Sequence, residues 1–104
     1  MSDDTVYQEK AELLKALAHP VRLRIVRGLA RNGCRNVSCM ERNLAQSQSC
    51  ISQHLAKLKA AGIVQARRAG NEIYYEVDHP QAAALVELLF QEEADCGREE
   101  ARDV

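Results

Sequence analysis

The sequence predicts a mainly α-helical domain with one small β-hairpin, an α+β fold in the order α-α-α-α-β-β-α, on three observations. From Ser47 to Gly62 the apolar residues Ile51, Leu55 and Leu58 recur at helical spacing, between a side chain that can cap a helix start and a glycine that can end one. After Gly62 the period drops to two, with Ile73, Tyr75 and Val77 alternating against Glu72, Tyr74 and Glu76. Between His19 and Asn71 ten basic residues accompany a single acid, Glu41, although the whole chain has a net charge of −1.

A length of 104 residues sets the scale: one domain, residues 1–104, with the unpatterned stretches 1–5 and about 96–104 expected as flexible tails. The core of so small a chain gains from dimerisation. No apolar run approaches the roughly 18 residues needed to span a bilayer, and the polar start MSDDTVYQEK lacks signal-peptide character, so a cytoplasmic protein with no membrane partner is expected. Its four cysteines then read as free thiols rather than structural disulfides.

The elements follow in order. From about Tyr7 the residues Ala11, Leu14, Leu17 and Ala18 mark a first helix, which must stop before Pro20. Pro20 fits the first turn of a second helix, striped by Val21, Ile25 and Leu29 and ended by Asn32 and Gly33. Asn36 and Val37 read as a short extended piece, and Ser38 as the cap of a third helix containing Met40 and Leu44. Only Ala45 to Ser47 then separate this helix from the amphipathic one, so the pair fits a helix-turn-helix, here with no glycine in the turn. A hairpin placed directly behind it, with Arg67 and Arg68 on its approach and Ala69, Gly70 and Asn71 turning the chain, is the wing of a winged helix-turn-helix. Pro80 starts the last helix, apolar on more than one face through Ala82, Leu85, Val86, Leu88 and Leu89. That surplus predicts a homodimer held by the first and last helices.

Three segments, LLKALAHPVRLRIVRGL (13–29), SQSCISQHLAKLKAAGIV (47–64) and RRAGNEIYYEV (67–77), together resemble the ArsR/SmtB winged-helix transcriptional repressors. The resemblance covers about residues 10–92. It implies a homodimeric repressor of double-stranded operator DNA, an imperfect palindrome, released when an inducer such as a metal or metalloid ion binds.

A reading helix presents its N-terminal side chains to base edges in the major groove. Gln48 and Gln53 suit bidentate pairing with adenine, and Ser49 and Ser52 can donate or accept at several bases; these four match the family's contact positions. Ser47 adjoins them. Lys57, Arg67 and Arg68 suit phosphate, which supplies affinity without sequence information. Asn71 at the hairpin tip suits either a minor groove or a plain turn. His54 lies beside the apolar stripe and reads as a flanking residue rather than a base reader.

The cysteines leave the inducer open. The Cys-x-Cys pair of the metalloid-sensing branch falls here on Asn36 and Ser38, with Cys39 one position late. Asp78 and His79 supply only the start of the zinc-sensing pattern, and Arg27 stands where the persulfide-sensing branch has a cysteine. What remains is Cys34 and Cys39, a candidate dithiol with Arg35 between them to favour thiolate, which Cys50 or Cys96 would extend to three sulfurs around a soft metal or metalloid ion such as arsenite. The dithiol could instead close oxidatively, or the cysteines could be small apolar fillers. Two rivals stand beside this reading: a repressor without thiol sensing, and a winged-helix protein-interaction module. An enzyme is not expected, since no phosphate-cradling glycine loop is present and His19, His54 and His79 have no metal-ligand or triad-like spacing.

Overall fold

A computed structural model describes residues 3–33 and 35–91. Five helices and a three-stranded antiparallel sheet follow one another as α1 (Asp3–Leu17), α2 (Pro20–Asn32), β1 (Arg35–Asn36), α3 (Val37–Leu44), α4 (Gln48–Ala60), β2 (Val64–Ala69), β3 (Glu72–Val77) and α5 (Pro80–Leu89). This is a winged helix-turn-helix.

Several boundaries differ from expectation, among them that β1 is Arg35–Asn36 rather than Asn36 and Val37, and that Ala69 belongs to β2 rather than the turn. The first helix begins at Asp3 rather than near Tyr7, taking in residues expected to fray, because Asp3 and Asp4 place negative charge on its exposed N–H groups. The cap of α3 is Asn36, not Ser38: the Cys39 N–H donates to Asn36 Oδ1 at 2.9 Å, and Val37 is already helical. Asn36 can do this because it ends β1, which pairs with β3 in the register Arg35 to Tyr75 and Asn36 to Tyr74.

The helix starts at Pro20 and Pro80 are built alike. In each a histidine precedes the proline and caps with its ring: Val21 N–H donates to His19 Nδ1 at 3.1 Å, and Ala82 N–H to His79 Nδ1 at 3.2 Å. The turn between α3 and α4 needs a left-handed residue, and Ala45 takes it at φ 55 in the absence of glycine. Beyond α4 the chain turns through Gly62 at φ 77, with Gly62 N–H to the Lys59 carbonyl at 3.0 Å and Ile63 N–H to the Leu58 carbonyl at 2.9 Å. That paired closure brings the buried Ile63 against the helix end and delivers the chain into β2.

The core lies where α2, α4 and the base of the hairpin meet. Val26, Ile51, Leu58, Ile63 and Val86 are fully enclosed, and Tyr75 and Val77 of β3 pack against them. Burying side chains of this size contributes about 1.5–3 kcal/mol each, so the stripe of α4 is what fixes its roll about its axis. The outer faces of α1 and α5 stay uncovered, with Val6, Tyr7, Leu14, Leu88 and Leu89 all at least half exposed. Between them runs a groove of about 370 Å³ lined by Leu13, Leu14, Ala84, Leu85 and Leu88.

Candidate nucleic-acid interface

The burial of Ile51, Leu55 and Leu58 turns the opposite side of α4 outward. Gln48, Ser49, Ser52 and Gln53 are all exposed there, and among the described residues none of their side chains is held in an intramolecular hydrogen bond. Four adaptable polar groups on one unobstructed turn-and-a-half of helix can meet base edges without first breaking anything. Ser47 has a different task, accepting the Cys50 N–H on Oγ at 3.1 Å as the helix cap. The helix contains no acid, and its exposed N-terminal N–H groups favour an anion.

His54 sits on the flank and is half-buried, as its place beside the stripe suggested. Arg22 Nε donates to its Nδ1 at 3.2 Å, and its ring lies 4.3 Å from that of His19, tilted by 46°. Partial burial, then the neighbouring His19, Arg22 and Lys57, hold its pKa below the ordinary 6.5. Arg22 also donates from Nη1 to the Ala16 carbonyl at 3.1 Å. One of the ten central cations is therefore turned inward as a strut between α1, α2 and α4. No signal in the sequence marked it out, since the contact joins residues 32 apart.

The hairpin is less basic than its approach suggested. Its two-residue tip, Gly70 and Asn71, brings Ala69 opposite Glu72, Arg67 opposite Tyr74 and Gln65 opposite Glu76. Gly70 supplies the positive φ, at 66, that the first position of such a turn demands. Arg67 and Arg68 are both exposed, but as neighbours in a strand they project from opposite faces. Arg67 is ion-paired with Glu76, and Gln65 Nε2 donates to the same carboxylate oxygen at 2.7 Å. The Gln65 amide foremost, with Arg67, keeps the Glu76 pKa below its ordinary 4.5. Asn36 Nδ2 donates to Glu72 Oε1 at 3.0 Å, tying β1 to the tip. Two arginines and two glutamates leave the hairpin formally neutral. Lys57 and Asn71 are exposed, Lys57 one turn beyond Gln53 on α4.

Of the four cysteines, Cys34 and Cys96 lie outside the described residues. Cys39 is half-buried in the first turn of α3, where Arg35 Nη1 donates to its sulfur at 3.0 Å and Asn43 Nδ2 at 3.6 Å. Cys50 is half-buried on α4 and donates from Sγ to Gln46 Oε1 at 3.2 Å. Among the described residues no three of His, Cys, Asp and Glu converge as metal ligands. No helix among them is long and apolar enough to cross a membrane.

The chain is similar to known proteins over most of its length. Residues 19–66 match the profile of the family described as bacterial regulatory protein, arsR family. The transcriptional repressor PagR of Bacillus anthracis is 39% identical over 82 residues, spanning 79% of this chain and 82% of PagR. Its crystal structure superposes with a TM-score of 0.78 over 84% of this chain and 99% of that one. The antimony-specific transcriptional repressor AntR superposes with a TM-score of 0.79 at 28% identity, over 89% of this chain and 84% of AntR. The homodimeric winged helix-turn-helix DNA-binding domain Mb0332 of Mycobacterium bovis does so at 0.78 with 32% identity, over 100% of this chain and 96% of that domain.

Proposed function

The chain belongs to the arsR family of DNA-binding transcription regulators, and from that premise we propose that it is a homodimeric repressor of a palindromic operator, read by Gln48, Ser49, Ser52 and Gln53. The observation that carries this reading is the exposed, uncommitted polar turn of α4 above a fully buried stripe. Ser47 and the first-turn N–H groups, with Lys57 and Arg68, supply phosphate contacts, and Arg67 joins them only when Glu76 lets it go. Asn71 approaches the minor groove from the hairpin tip. The uncovered faces of α1 and α5 meet their counterparts across a twofold axis, which places two reading helices roughly 34–36 Å apart on DNA. In vitro selection from a randomised duplex tests this: an inverted repeat with half-sites one helical turn apart is expected. Recovery of single half-sites bound by monomer would overturn the dimer.

For release we infer a reaction at thiols centred on Cys39. A cationic donor 3.0 Å from a sulfur is a setting in which cysteines react, and the chain superposes on the antimony-specific repressor AntR. Cys39 and Cys50 alone do not make a three-ligand site, so an ion such as arsenite would need Cys34 or Cys96 as well. Titrating the protein and selected duplex with arsenite, with cadmium and separately with polysulfide separates ion binding from thiol oxidation. Release abolished by Cys39→Ser supports the assignment, and release unaltered in both Cys34→Ser and Cys39→Ser removes these residues from it.

A further inference from the structure

The first turn of α2 meets α4 at a corner built by His19, Arg22 and His54. His54 projects from the reading helix one turn beyond Ser49 and Cys50, so whatever holds it adds to the buried stripe in setting how far the reading turn stands from the body of the domain. Two things hold it, the Arg22 Nε hydrogen bond at 3.2 Å and the His19 ring at 4.3 Å. Neither partner is loose. His19 is fixed as the cap of α2 through Val21 N–H, and Arg22 is fixed at its other end by the Ala16 carbonyl near the end of α1. The corner therefore links the reading helix to the helix whose outer face is exposed for dimerisation.

We propose that Arg22 and His54 are positioning residues for DNA recognition, and that the link holds only while the His54 ring is neutral. The inference rests on the DNA-reading assignment above. A ring nitrogen that accepts from Arg22 has no proton of its own; protonating it replaces an acceptor with a second donor facing a guanidinium. The surroundings do not compensate. From α2 His54 faces His19 and Arg22, and on its own helix Lys57. The carboxylates Glu9 and Glu12 of α1 line the neighbouring cleft of about 740 Å³, which Lys15, Arg22, Lys57 and His79 also line. The depressed pKa of His54 agrees with that geometry: protonation is resisted, and the link opens below pH 6.5 rather than at it. Acid should therefore weaken recognition, opposite in sign to the usual gain when a cationic imidazolium is added near phosphates.

The test uses the full chain, the duplex it selects at about pH 7.5 and a scrambled duplex of the same composition, with affinities measured from about pH 7.5 downward over the range in which helicity is unchanged. His54→Asn keeps an acceptor where Nδ1 stood and does not titrate. The wild-type preference for the selected duplex is expected to drop about tenfold on acidification, the scale of one charge-assisted hydrogen bond, while His54→Asn keeps its preference and His54→Ala lacks it throughout that range. Parallel acid loss in wild type and His54→Asn would overturn the proposal, as would stronger wild-type preference at low pH. Failure to select any duplex would instead overturn the DNA-reading assignment itself.

Discussion

Helix α4 and the hairpin both carry exposed polar side chains, yet they stand differently toward a ligand. On α4 the side chains of Gln48, Ser49, Ser52 and Gln53 have, among the described residues, no hydrogen-bond partner to surrender. On the hairpin Arg67 is already neutralised by Glu76, which Gln65 holds in place. Exposure is thus not the same as availability. A base edge that meets α4 gains its hydrogen bonds outright, whereas a phosphate that meets Arg67 must displace a carboxylate of the same sign as itself. The difference predicts that specificity resides in α4 and that the hairpin contributes less affinity than its arginines suggest.

The largest effect should come from removing the free side. Gln48→Ala combined with Ser52→Ala deletes groups each worth about 1–3 kcal/mol of discrimination where they meet a base, so preference for the selected duplex should fall roughly a hundredfold. The substitutions touch no core residue, and thermal unfolding and dimer mass should be unchanged. Persistent protection of the same sequence by the double variant would move the reading face elsewhere.

A smaller, opposite effect should come from freeing the occupied side. Glu76→Gln leaves Arg67 without its counter-charge, and each phosphate newly neutralised steepens the dependence of log affinity on log salt by about 0.9. Arg67→Ala alone should barely alter that slope, because an arginine that stays clasped by Glu76 neutralises no phosphate. A slope flattened by about one unit in Arg67→Ala would mean that Glu76 releases its partner on DNA unaided. Since hydrogen bonding and Arg67 lower the Glu76 pKa, its clasp is intact above pH 4.5 and is lost only as pH falls through the folded-state value. The His54 link runs the other way in charge: its stability is complete above 6.5 and falls as pH drops from there toward the folded pKa. The Glu76 clasp is thus constant between pH 6.5, where the His54 link starts to weaken, and pH 4.5.

What could be read in the sequence divides along the same line. The α4 stripe, its Ser47 cap and its Gly62 stop are local patterns, and each lies where its spacing put it. The prolines that open α2 and α5 are equally local. Contacts across the fold were not legible. Strand β1 is two residues long and exists only because β3 offers an edge, which also moved the α3 cap from Ser38 to Asn36. Reading Ala69 as part of the turn concealed the register, in which a two-residue tip sets Glu76 opposite Gln65 and diagonal to Arg67. The Arg22 contact with His54 depends on how α2 crosses α4, which neither helix encodes alone.

The smallest effect tests whether the reading helix is held by its stripe or by the turn before it. Ala45 sits at φ 55, a conformation costing a residue with a Cβ roughly 1–2 kcal/mol. Ala45→Gly removes that strain but returns about 0.4–1 kcal/mol of chain entropy to the unfolded state, so stability should rise by no more than about 1.6 kcal/mol. If the buried Ile51, Leu55 and Leu58 fix the roll and height of α4, a looser turn leaves affinity for the selected duplex within about twofold, since their combined burial, about 1.5–3 kcal/mol each, far exceeds what the turn contributes. A tenfold loss of affinity with unchanged thermal stability would show the reverse. The strained alanine would then be what aims the helix, and the freedom of its polar face would depend on a rigid joint rather than on the core beneath it.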